Sequence, residues 1–85
     1  MKQFDYTLNI KMGIHARPAA LIADRAKFMD ESVTLSFDGK TADASKILEM
    51  VGLGAKKGDT ITVTVEGAEE EQSAALMEKL FMENF

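Results

Sequence analysis

The fold class this sequence predicts is α+β: an open-faced β-sandwich with three helices on one face of a four-stranded antiparallel sheet. Three observations predict it. Apolar and short polar residues alternate in the stretches Phe4–Ile10, Val33–Phe37 and Ile61–Val65, the period of a strand with one buried face. Segments with helical spacing fall between and after those stretches. The polar sides of the longer strands are mostly threonine, serine and other small polar residues, which an antiparallel sheet can leave in water.

Taken in order, the first strand sets Phe4, Tyr6, Leu8 and Ile10 on one face and Gln3, Asp5, Thr7 and Asn9 on the other. From Ala16 to about Met29, the residues Leu21, Ile22, Ala26 and Met29 recur at helical spacing, with Asp24, Arg25 and Lys27 opposite. Val33, Leu35 and Phe37 form the next strand. Asp38-Gly39 then predicts a two-residue hairpin turn, whose central residues both need positive φ, and Lys40–Asp43 is the returning strand. Ser45–Leu53 reads as a short helix capped by Ser45 or Asp43 and ended by Gly54, with Met50 and Leu53 in the core. Lys56-Lys57-Gly58-Asp59 is a turn. Ile61, Val63 and Val65 face inward from the last strand, with Thr60, Thr62 and Thr64 outward. The closing helix, Ala68–Glu83, is acidic in its first turn, as the helix dipole favours, and carries the stripe Leu76, Met77, Leu80 and Phe81. The order is β-α-β-β-α-β-α, and nothing divides residues 1–85, which form a single domain.

Bulk properties exclude several classes of function. A chain of 85 residues with 46% hydrophobic content supports one core, near the small end of what folds alone. Cysteine is absent, which removes disulfides and thiolate metal ligands and fits a reducing compartment. One histidine without a clustered carboxylate pair supplies too few ligands for a metal site, and no cofactor is expected. No basic, apolar, then small-residue run opens the chain, so a secretory signal is not expected. Nothing approaches the roughly 20 apolar residues that cross a bilayer. The net charge of −4 disfavours nucleic acid and anionic membrane surfaces. The expectation is a cytoplasmic monomer.

The stretch Met12-Gly13-Ile14-His15-Ala16-Arg17-Pro18-Ala19-Ala20 holds the only histidine and the only proline. His15 falls at the junction of the first strand and first helix, with Pro18 in the first helical turn, where a missing N–H is harmless. That turn leaves backbone N–H groups without acceptors. The usual Ser, Thr, Asp or Asn cap is absent between Gly13 and Arg17. Open amides at a helix start attract anions, phosphate above all, and Arg17 adds a fork of charged donors. Neutral imidazole has a nucleophilic lone pair, so His15 could accept a phosphoryl group that then rests on the helix end and Arg17. A helix terminus contributes roughly 0.3–2 kcal/mol to a nearby anion, and a charged hydrogen bond about 1.5–3 kcal/mol. These magnitudes suit a carrier, not a sink. The same histidine could equally be an ordinary polar residue at a helix start.

Gly13-Ile14-His15-Ala16-Arg17-Pro18-Ala19 resembles the active-site signature of the HPr family, the histidine-containing phosphocarriers of the bacterial phosphoenolpyruvate:sugar phosphotransferase system. The resemblance spans the chain, with Asp38-Gly39-Lys40, Leu53-Gly54 and Gly67-Ala68 as later landmarks. It implies that His15 is phosphorylated on Nδ1 by phospho-enzyme I and passes the group to enzyme IIA domains of sugar permeases. It also implies that Arg17 assists, and that backbone N–H groups of Ala16 and Arg17 bind the phosphate. Such a protein is a phosphoryl carrier with a transient phosphohistidine, not an enzyme.

Departures from the family pattern are informative. Where many relatives have a regulatory serine this chain has Lys46, with Ser45 just before it, so no regulatory serine is expected and Ser45 reads as a helix cap. Met12 replaces a small polar residue, and Glu49 a common glycine. Ile47, Leu48 and Val51 cannot all be buried on so short a helix. The resemblance puts that helix beside His15 and makes these residues, with Met12, a patch for docking partners; burial in the core is the other assignment. Two rival functions remain. One is a phosphohistidine carrier in a regulatory relay, nitrogen-related or sugar-controlling, without direct transport. The other is a binding module whose histidine is inert.

Overall fold

Alternation becomes four strands, β1 (Lys2–Thr7), β2 (Ser32–Phe37), β3 (Lys40–Asp43) and β4 (Thr60–Glu66), in the computed structural model, which describes residues 1–85. The strands form one sheet in the order β1-β4-β2-β3, every pair antiparallel. Three helices, α1 (Ala16–Lys27), α2 (Ile47–Gly52) and α3 (Glu70–Asn84), cover one face. The expected element order and open face are both present.

Register explains the core. Phe4 lies opposite Val63 and Tyr6 opposite Ile61, while Leu35 faces Val63 on one side and Ala42 on the other. Leu35, Ile61, Val63 and Val65 are fully buried under the helices. On the open face, Thr62 donates to Asp5 (2.8 Å), Gln3 donates to Thr64 (3.1 Å), and the Thr7 and Thr60 hydroxyls pair at 2.8 Å. Cross-strand polar pairs of this kind bind neighbouring strands on the wet side. Asp38 and Gly39 have φ of 53° and 77°, the double positive φ of the expected hairpin turn.

Several boundaries and faces differ from the sequence reading. Strand β1 ends at Thr7, short of Ile10, because Leu8 turns to the loop before β4: its N–H donates to Asp59 O (2.9 Å) and its carbonyl accepts Gly58 N–H (2.9 Å). Helix α1 stops at Lys27, before Met29. Its buried face is Pro18, Ala19, Ile22, Ala23 and Ala26, and Leu21 is exposed. The three alanines give that face a flat surface where α1 packs against α2 and α3, and Leu21 lies outside it. Helix α2 begins at Ile47 with Lys46 in the N-cap position, so Ser45 is not its cap. Asp43 instead accepts from the Ser45 N–H (2.9 Å) and hydroxyl (2.7 Å), making a local turn ahead of the helix. Glu49 reaches back to the Asp43 N–H (2.9 Å). Met50 and Leu53 are buried, as expected.

Helix α3 begins at Glu70 and is anchored by Met77 and Phe81, with Leu76 and Leu80 half-buried. The Phe81 ring meets Phe4 (6.2 Å between centroids), Tyr6 (5.9 Å) and Phe85 (5.3 Å) at edge or tilted angles, arrangements that aromatic quadrupoles favour. The start of α3 borrows a distant carboxylate. Glu31, buried, accepts the Ser73 hydroxyl (2.6 Å) and the Glu69 N–H (3.1 Å). Those bonds, the Ser73 one first, hold its carboxyl below the ordinary value of 4.5.

Candidate functional site

Between β1 and α1 the chain makes a tight turn in which Gly13 N–H donates to Ile10 O (3.0 Å). Gly13 has φ of +65°, and the next N–H, of Ile14, donates to Ala55 O (3.1 Å). A side chain at residue 13 would set its Cβ 2.3 Å from Ala55 O and 2.5 Å from Lys56 Cα. Backbone therefore lies directly on backbone, and the loop that follows α2 fixes the turn that leads to the histidine. Ile14 is buried just ahead of it.

His15 is the N-cap of α1, extended at φ −132° and ψ 172°, and no side chain caps the helix. Its carbonyl accepts the first helical bond, from Ala19 N–H (3.1 Å). Pro18 is buried and has no N–H. The N–H groups of Ala16 and Arg17 have no acceptor within the chain, and the first turn has no acidic residue. Both residues are exposed, and the Arg17 side chain forms neither an ion pair nor a hydrogen bond. The half-buried His15 ring makes one hydrogen bond, from Nδ1 to Gly13 O at 3.0 Å. The structure thus sets His15 at a helix end with two open amides, two residues before an exposed Arg17 whose guanidinium is uncommitted.

The residues expected to dock partners are distributed less simply. Met12 and Leu48 are strongly exposed, at 68% and 86%, whereas Ile47 and Val51 are half-buried against the core. Helix α2 packs on α1, the helix that His15 opens. A shallow hollow lined by Lys27, Ser45, Lys46, Ile47, Leu48 and Glu49 joins the end of α1 to the start of α2. Lys46 is close to Glu49 (3.9 Å), and Ser45 is tied to Asp43. Sequence reasoning missed Ala55, whose carbonyl anchors the site turn, and the Gly13 carbonyl as the ring's partner. Both are backbone oxygens, whose roles no residue-type motif or periodic pattern reports.

The family model described as "PTS HPr component phosphorylation site" matches residues 2–83. The chain belongs to the HPr family. It is 33% identical over 85 residues to the phosphocarrier protein HPr of Mycoplasma genitalium, covering 99% of this chain and 97% of that one. Among solved structures, HPr-C-His of Thermoanaerobacter tengcongensis has a TM-score of 0.90 at 29% identity, covering 100% of this chain and 96% of the other. The HPr of Bacillus anthracis superposes with a TM-score of 0.85 at 30% identity, covering 94% and 95%. Membership makes the chain an HPr-type phosphocarrier of the phosphotransferase system. No helix of this HPr-family chain is long and apolar enough to cross a membrane.

Proposed function

We propose that this HPr-family chain accepts a phosphoryl group on His15 Nδ1 from phospho-enzyme I and donates it to enzyme IIA domains in sugar uptake. The observation that carries the reading is the uncapped start of α1, where His15 stands beside the open amides of Ala16 and Arg17. In the forward step the imidazole lone pair attacks phosphorus. The donor's N–P bond breaks as the new one forms, and the electron pair returns to the donor nitrogen. The transferred dianion then rests on the two amides, with the Arg17 guanidinium as counter-charge. Phosphoryl transfer requires chiefly alignment and charge stabilisation, so a carrier without turnover of its own can share that work with each partner.

Met12, Ile47, Leu48 and Val51 form the docking patch in this reading, with Lys27 and Lys46 near Ile47 and Leu48. The site is built from one chain, so the working unit is a cytoplasmic monomer; T. tengcongensis HPr also exists as a dimer, and light scattering during the assay checks this. The deciding experiment is phosphorus NMR after incubation with phosphoenolpyruvate and purified enzyme I. An acid-labile, base-stable phosphohistidine signal is expected, absent in His15→Ala. A label that persists in that variant refutes the assignment.

A further inference from the structure

The hydrogen bond between the His15 ring and the chain has a direction. A carbonyl oxygen has no proton to give, so in the 3.0 Å contact Nδ1 is the donor and Gly13 O accepts. The neutral ring in this pose therefore has its lone pair on Nε2. The acceptor is held firmly: positive φ, the turn to Ile10, the adjoining Ile14–Ala55 bond and the close backbone approach of Ala55–Lys56 all fix Gly13. Helical continuation would have paired Gly13 O with Arg17 N–H. Because His15 is extended, those two groups are separated. The carbonyl takes the imidazole proton, and the amide stays open.

We propose that the Gly13 carbonyl is a positioning group for phosphoryl transfer: it holds resting His15 as the Nδ1–H tautomer, and Nδ1 becomes nucleophilic only once that bond opens. This rests on the carrier reading above. On opening, Nδ1 releases its proton to water while Nε2 takes one from water, so the ring stays neutral. The Nδ1 lone pair then attacks phosphorus as the donor's N–P bond breaks. A phosphoryl group on Nδ1 would repel the Gly13 oxygen, since both are electron-rich. The ring must therefore turn away, toward the amides of Ala16 and Arg17. The carbonyl shields the nucleophile at rest and steers the product after transfer.

The test uses the whole chain labelled with ¹⁵N-histidine, beside a synthetic peptide of residues 10–18 as the unstructured reference. Long-range proton–nitrogen correlations, recorded where the ring is neutral, read which nitrogen carries the proton. The ratio of Nδ1–H to Nε2–H should exceed that of the peptide roughly 2- to 10-fold, the bias one neutral hydrogen bond gives. A ratio equal to the peptide's or lower overturns the positioning role. After phosphorylation, nitrogen–phosphorus coupling should appear on Nδ1, with a changed Gly13 carbonyl ¹³C shift. Coupling on Nε2 overturns the proposal, and with it the Nδ1 assignment, while leaving His15 as the carrier residue. Failure to take any label defeats the carrier reading and the positioning role together. Gly13→Ala, which displaces the carbonyl, should return the ratio to the peptide's; where that variant unfolds, the parent ratio alone decides.

Discussion

Replacing Gly13 with alanine tests the contact on which the site turn depends, and Gly39→Ala supplies its internal control. Both glycines have positive φ, 65° and 77°, so each substitution forces an L-residue into the left-handed region at about 1–2 kcal/mol. Their surroundings differ. A Cβ at Gly39 meets nothing within 4 Å, whereas at Gly13 it meets Ala55 O at 2.3 Å and Lys56 Cα at 2.5 Å. Those atoms are backbone and cannot swing aside like a side-chain tip. Overpacking adds about 1–3 kcal/mol, so Gly13→Ala should cost roughly 2–5 kcal/mol in all. A domain of this size has about 4–13 kcal/mol of stability, so much of it would be lost. In thermal melts read by circular dichroism, at roughly 4–8 °C per kcal/mol, Gly39→Ala should fall by about 4–16 °C and Gly13→Ala clearly further. Urea midpoints should follow the same order with unchanged slopes. Equal losses in the two variants would refute the backbone-on-backbone contact, and with it the account of how the turn before His15 is held.

Other outcomes follow from the same geometry. Arg17→Ala removes an exposed side chain without a partner, so stability should change by no more than about 0.5 kcal/mol, while rapid-quench assays should show phosphoryl transfer slowed roughly 10- to 150-fold, the loss of one charged hydrogen bond. Phe81→Ala empties the fully buried centre of a four-ring cluster and should cost about 3–5 kcal/mol in urea unfolding. Glu31 has a folded-state pKa below 4.5 because it accepts from Ser73 and from Glu69 N–H. Its contribution is therefore present above that pH and lost as pH falls through the folded value. Glu31→Gln should lower stability at pH 7 and flatten the loss of stability in acid, as thermal melts across pH 3–7 will show.

How much of this was legible in sequence depends on the range of the interaction responsible. The Asp38-Gly39 turn, the threonine face of β4 and the Pro18 position were readable because each is set by neighbours in the chain. Strand order was not, since β4 reaches its place between β1 and β2 through contacts that no local pattern encodes. Leu21 has helical spacing for burial and is nevertheless exposed, because Ala19, Ala23 and Ala26 carry the α1 contact and a small-residue face is invisible to a count of large apolar side chains. Ser45 has the chemistry of a cap, yet the helix starts one residue too late for it, with Lys46 in the N-cap position and the Ser45 donors turned to Asp43. At the site, residue type and position point to His15 and the Arg17 side chain, while the amides of Ala16 and Arg17 come from the family resemblance. The role of Gly13 as the ring's acceptor, and of Ala55 behind it, lies in backbone atoms that every residue has, so composition could not reveal it.

The site also shows why an uncapped helix end need not weaken this fold. A backbone N–H without a partner is costly when buried, but Ala16 and Arg17 are exposed, and water can satisfy their amides. The contacts that hold α1 in place lie behind them, in Pro18, Ala19, Ile22, Ala23 and Ala26. On the proposed carrier reading, stability and anion affinity therefore reside in different atoms of the same turn. Exchanging water for phosphoryl oxygens at exposed amides replaces one set of hydrogen bonds with another, so the net gain is modest. A modest gain is what reversible transfer requires. A side-chain cap at His15 would occupy the amides, and deeper burial of them would either destabilise the empty helix end or bind the phosphoryl group too tightly to release it.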